Sequence, residues 1–87
     1  MRTLYKYRLK LGVDNQISIP RGGVVRYVAL QDYQPTIWVE VYTDAVFVAR
    51  TFQVFGTGRP IPPGYVYVGT LLDPPEVWHI YERTGVF

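Results

Sequence analysis

Leu4-Tyr5-Lys6-Tyr7-Arg8-Leu9-Lys10-Leu11 alternates without a break. In an extended chain Tyr5, Tyr7, Leu9 and Leu11 fall on one side, and Lys6, Arg8 and Lys10 on the other. A period of two marks a strand with one face buried and one face wet. A helix would scatter the same residues around its circumference.

Outward from this stretch the same pattern recurs, as short apolar runs rich in Val, Ile, Thr and Tyr between turn residues. No window keeps a helical i, i+3, i+4, i+7 stripe with caps. Residues 12–15 turn the chain into a short strand at 16–19. Pro20-Arg21-Gly22-Gly23 is a strong turn, leading to a third strand at 24–31. Residues 32–35 read as a loop, with Pro35 setting the start of a strand at 36–42. Thr43-Asp44 connects tightly to the longest strand, 45–55. A proline- and glycine-rich loop, 56–64, precedes a strand at 65–71. Asp73-Pro74-Pro75 cannot continue a ladder. The last strand is 77–82, and 84–87 reads as a frayed tail.

This organisation predicts an all-β, mostly antiparallel fold of about seven strands, either a small barrel or a two-layer sandwich. One domain spans residues 1–87, with no linker or repeat. The expected core is Tyr5, Tyr7, Leu9, Ile17, Ile19, Val25, Tyr27, Val39, Val41, Val48, Phe52, Val54, Val66, Val68, Trp78 and Ile80. One residue conflicts with it. Arg50 shares a face with Val46, Val48, Phe52 and Val54, so either it is paired or a bulge near 49–51 switches the faces.

Composition bounds the function. A chain of 87 residues has a small core, which a hydrophobic content of 48% and an aromatic content of 16% offset. The chain has no cysteine, which excludes disulfides, thiolate catalysis and zinc–cysteine sites and fits a reducing compartment. No apolar run approaches the ~20 residues of a membrane span, and no signal-peptide pattern opens the chain. A cytoplasmic location without a membrane partner is therefore expected. A net charge of +2 is too small to imply nucleic-acid binding by itself.

Four features carry candidate chemistry. Gly56-Thr57-Gly58-Arg59 can offer backbone N–H groups and a guanidinium to an anion, and Ile61 follows on a proline-stiffened arm. Neither the P-loop nor the dinucleotide pattern is present. Lys6, Arg8 and Lys10, with Arg26, form a candidate row of phosphate contacts, although such a row also suits the wet face of an edge strand. Trp38 and Tyr42 flank Glu40 on the face opposite Ile37, Val39 and Val41, an aromatic patch of the kind enriched in contact hot spots. His79 is the lone histidine and Ser18 the lone serine, and neither lies in a catalytic pattern. His79 reads as a strand histidine with its hydrogen bonds satisfied. No metal site and no cofactor are expected.

Three blocks resemble a known family. They are Leu4-Tyr5-Lys6-Tyr7; Arg50-Thr51-Phe52 running into Gly56-Thr57-Gly58-Arg59-Pro60-Ile61; and Tyr67-Val68-Gly69-Thr70 followed by Trp78-His79-Ile80-Tyr81-Glu82. In this order they are similar to small uncharacterised bacteriophage and prophage proteins, most specifically in the RTF…GTG-x-PI block. In that family the position of Arg59 is often histidine, so no histidine chemistry transfers. The resemblance implies a phage accessory protein in the host cytoplasm.

The leading expectation is a non-enzymatic binder, an interactor or inhibitor of a host bacterial protein, contacting it through Gly56, Thr57, Gly58, Arg59, Ile61, Trp38 and Tyr42. The alternatives are a nucleotide or nucleic-acid binding module using Lys6, Arg8, Lys10 and Arg26, and a virion-associated structural protein that self-assembles into a homo-oligomer through strand edges.

Overall fold

The computed structural model describes residues 1–85. Its strands are β1 (Arg2–Arg8), β2 (Asn15–Pro20), β3 (Val24–Gln31), β4 (Gln34–Tyr42), β5 (Phe47–Gly56), β6 (Tyr65–Asp73) and β7 (Glu76–Arg83). They form two sheets, β1-β4-β3 and β2-β5-β7-β6, and every pairing is antiparallel. The architecture is a sandwich and not a closed barrel, with no helix among the described residues. Of the expected tail, Thr84 donates its N–H to the Gly64 carbonyl at 2.8 Å, while Val86 and Phe87 lie outside the described residues.

The core lies between the inner faces. Leu9, Ile19, Ile37, Val39, Val41, Phe52, Val54, Leu71 and Ile80 are buried, with Tyr5, Tyr7, Ile17, Val25, Val28, Leu30, Val68 and Trp78 packed around them. Each large apolar side chain so buried contributes ~1.5–3 kcal/mol. Tyr5 and Tyr7 face inward and Lys6 and Arg8 outward, as the alternation requires.

Several expected inward residues face water, for local reasons. β1 ends at Arg8, so Leu11 belongs to the following turn and is exposed. Val46 precedes β5 and is exposed as well. Arg26 is bulged out of the β3–β4 ladder, which turns Tyr27 to the outside opposite Trp38. Val66 faces Glu82 near the end of edge strand β6, beyond the cover of the opposite sheet.

Pro35 lies within β4 rather than in a loop. A two-residue turn, Asp32-Tyr33, joins β3 to β4, and its closing pair is Gln31–Gln34. At the next pair, Leu30–Pro35, the proline nitrogen points away from β3, so no bond to β3 is lost. Its carbonyl accepts from Leu9 N–H at 2.8 Å on the β1 side.

The Arg50 conflict resolves by pairing. β5 runs without a bulge, and Arg50 meets the Glu82 carboxylate through Nε and Nη2, both at 2.7 Å. Nη1 donates to the Gly23 carbonyl at 2.6 Å, tying β5 to the start of β3 in the opposite sheet.

β5 and β6 run in the same direction with β7 between them. Residues 57–64 must therefore travel back along β7, and the inner face is already filled. They cross the outer face as an arm that pairs with no strand, which suits Pro60, Pro62 and Pro63. Beneath the arm Phe55 packs edge-on against Tyr65 and Tyr81, each at 5.6 Å between centroids.

Candidate functional site

Among the described residues, the outer face of the β1-β4-β3 sheet carries several exposed side chains. Cross-strand registration builds it row by row. Arg2 faces Tyr42; Leu4 and Val24 flank Glu40; Lys6 and Tyr27 flank Trp38; Arg8 and Ala29 flank Thr36. The apolar and aromatic members Leu4, Val24, Tyr27 and Tyr42 are exposed, and Trp38 is half-buried between its neighbours. Tyr27 and Trp38 pack at 5.6 Å between ring centroids, tilted by 49°. The result is a flat aromatic platform two strand-widths across.

Glu40 at its centre accepts from Arg2 Nε at 3.1 Å and from Arg26 Nε at 2.9 Å. Arg8 pairs with Asp32 at 3.1 Å. Both arrangements are solvent-exposed on the arginine side, so each pair contributes less than about 1 kcal/mol to stability. Their effect is on the field: three of the four cations are already matched. Lys6, beside Trp38, has no carboxylate partner among the described residues.

The structure thus brings two sets of sequence candidates onto one face. Trp38 and Tyr42 lie among Lys6, Arg8 and Arg26. Lys10 lies beyond the strand, where its N–H and carbonyl are both engaged by the Asn15 side-chain amide. Gly56, Thr57, Gly58, Arg59 and Ile61 sit apart, at the end of β5 and along the arm on the other sheet. There the Gly56 carbonyl accepts from Arg59 N–H at 3.2 Å, and Gly58 has φ of 87°, the third position of a type II turn. Ile61 is exposed on the arm.

His79 has both ring nitrogens engaged. Nε2 lies 2.9 Å from Thr57 Oγ1 and Nδ1 lies 3.0 Å from Thr70 Oγ1, which meets the Tyr67 hydroxyl at 2.6 Å. This network pins the start of the arm to β6 and β7. Ser18 is exposed on β2, paired with Ala49. Among the described residues no group of three or more His, Cys, Asp and Glu side chains could hold a metal ion.

Two aromatic residues of the platform region escape the sequence reading. Tyr27 is hidden by the bulge, for which a lone Arg26 inside the apolar run 24–30 is the available signal. Tyr33, at the hairpin tip, is 95% exposed and has φ of 63°, beside Asp32 at 50°. Positive φ at both central residues is the hairpin-favoured type I′ geometry, which usually takes Asn-Gly or Asp-Gly. Tyr33 is thus an exposed tyrosine held in a disfavoured backbone conformation.

No curated protein and no solved structure matches the chain. Residues 1–86 match a family described as a domain of unknown function, DUF7352. The chain is a member of the DUF7352 family.

Proposed function

We propose that this protein is a non-enzymatic binding module that docks a partner protein on the open face of the β1-β4-β3 sheet. The observation that carries this reading is the surface made by exposed Leu4, Tyr27 and Tyr42 and half-buried Trp38, framed by Arg2 and Arg26 around a central Glu40. Tyrosine, tryptophan and arginine dominate the energetics of protein interfaces, and a rigid sheet presents them with little entropy to lose. Tyr33 is exposed at the tip of the β3–β4 hairpin, at one end of the same sheet.

A nucleic-acid track on this face is the weaker reading. Glu40 neutralises Arg2 and Arg26 and would repel a phosphate placed between them, and Asp32 holds Arg8. Lys6 beside the Tyr27–Trp38 pair is what favours it, and single-strand binders stack bases on such rings.

Similarity to small phage and prophage proteins supports a bacterial host protein as the partner and the host cytoplasm as the place. The test is co-purification from host cells with wild type, Tyr27→Thr/Tyr42→Thr and Tyr33→Gly. The altered residues are exposed, so both variants should stay folded by circular dichroism. A host protein retained by wild type should be lost from the double variant. Tyr33→Gly should weaken its retention while raising the melting temperature, because glycine relieves about 1 kcal/mol of left-handed strain. If the double variant, still folded, retains the same proteins as wild type, the platform is not the docking face. Salt-sensitive binding of single-stranded DNA or RNA by wild type would move the reading to nucleic acid.

A further inference from the structure

A second surface lies at the end of the sandwich, apart from the platform. The β2–β5 ladder stops at Asn15–Phe52, while β5 continues to Gly56. The chain before β2 does not follow it, because the Asn15 amide ties residues 10–15 into a closed turn through Lys10 and the Val13 carbonyl. A cleft of ≈ 450 Å³ remains between that turn and the start of the arm. Leu11 and Gly12 form one wall, Arg59 and Pro60 the other, and residues 53–56 with Trp78 form the floor.

Three features give this cleft a chemistry. Among the described residues Arg59 is the only charged one that lines it. Among the described residues, five of the seven arginines are in ion pairs, but Arg59 is not, and no hydrogen bond engages its side chain. The type II turn holds its stem against Gly56, where the nearest atoms to a side chain would be the Trp78 ring at 3.4 Å and Arg59 Cγ at 3.8 Å. The indole and the guanidinium stem thus converge on one backbone position. The Trp78 ring is itself anchored, its Nε1–H donating to Asp73 at 3.1 Å. A fixed flat ring, an uncompensated fork of donors and a volume within the range of small-molecule sites together suit an anion with a planar body.

We propose that this cleft binds a small organic anion carrying a flat ring, with the anionic group on Arg59 and the ring against Trp78. The carboxylate and phosphate versions share this chemistry, and the test separates them. In a Trp38→Phe background Trp78 is the sole tryptophan, and its fluorescence is titrated with 2-naphthoate and with AMP. The neutral counterparts 2-naphthalenemethanol and adenosine serve as controls. The expected result is saturable quenching by at least one anion, weakened about tenfold or more in its neutral counterpart and in Arg59→Gln. Arg21→Gln, which removes the other unpaired arginine, should leave the affinity unchanged. Amide shifts in Gly12 and Gly56 should accompany binding. Absence of saturable quenching by either anion up to ~10 mM overturns the proposal, as does binding that Arg59→Gln leaves intact or that Arg21→Gln weakens equally.

Discussion

Arg50, paired with Glu82, ties the two layers together through the Gly23 carbonyl. Its side chain and that of Glu82 are 19% and 18% exposed, so both charges sit mostly out of water. The Glu82 hydrogen bonds hold the Arg50 pKa above its ordinary value, outweighing the opposing effect of burial. The guanidinium therefore stays charged, and removing its partner would strand it. Glu82→Leu should cost about 3 kcal/mol, and the added change Arg50→Met should recover part of that loss, because a buried ion pair can be replaced better than halved. Urea denaturation of the single and double variants checks this. A double variant less stable than Glu82→Leu alone would mean that the bond from Arg50 to the Gly23 carbonyl outweighs the charge pair. From the sequence, Arg50 was visibly anomalous on an apolar face. Its partner was not visible, because Glu82 lies on β7 and meets β5 only through the strand order.

At the scale of elements, the two bulges matter as much as the strands. Register shifts at Arg26 in β3 and at Val68 in β6 occur on the two strands that close one side of the sandwich. The close approach is at Gly69, where a Cβ would lie 2.6 Å from Val28 Cγ2. Gly69→Ala should therefore destabilise the protein by about 1–3 kcal/mol, and Val28→Ala introduced with it should cost less than the sum of the two single changes. Additive losses in thermal denaturation would show that the strands do not meet there. The period of two made most strands legible from residues such as Tyr5 to Leu9, and β3 is found at its expected bounds. It failed where an extra residue resets the parity, which is why Tyr27 was assigned to the core. Pro35 reads as a loop residue from the sequence, because the direction of its missing donor depends on the hairpin register.

For the whole molecule, two phenols tie stability to alkaline pH. The Tyr65 hydroxyl donates to Asp14 at 2.7 Å, and this hydrogen bond, more than burial, raises its pKa above the ordinary 10.0. Tyr7 is raised as well, first by burial and then by Tyr5. A raised folded-state value favours the neutral phenol in the native protein. The associated stability is fully present below the ordinary tyrosine value and is lost as pH rises through the raised one. Urea midpoints measured between about pH 9 and 11 should fall, and fall less steeply in Tyr65→Phe. The candidate surfaces were only partly readable in advance. Trp38, Tyr42 and Arg59 were recognisable as unusual side chains. Their grouping was not, because it depends on β4 lying between β1 and β3 and on β5 outrunning β2. The arm over β7 has a last consequence, for synthesis. Among the described strands, the one that completes the middle of the second sheet is the last in chain order. Until it has cleared the ribosome, β5 and β6 have no common neighbour and the arm has nothing to lie on. β6 therefore has no partner in its sheet until β7 forms, and the second sheet is expected to close through the long-range pairing of β7 with β5.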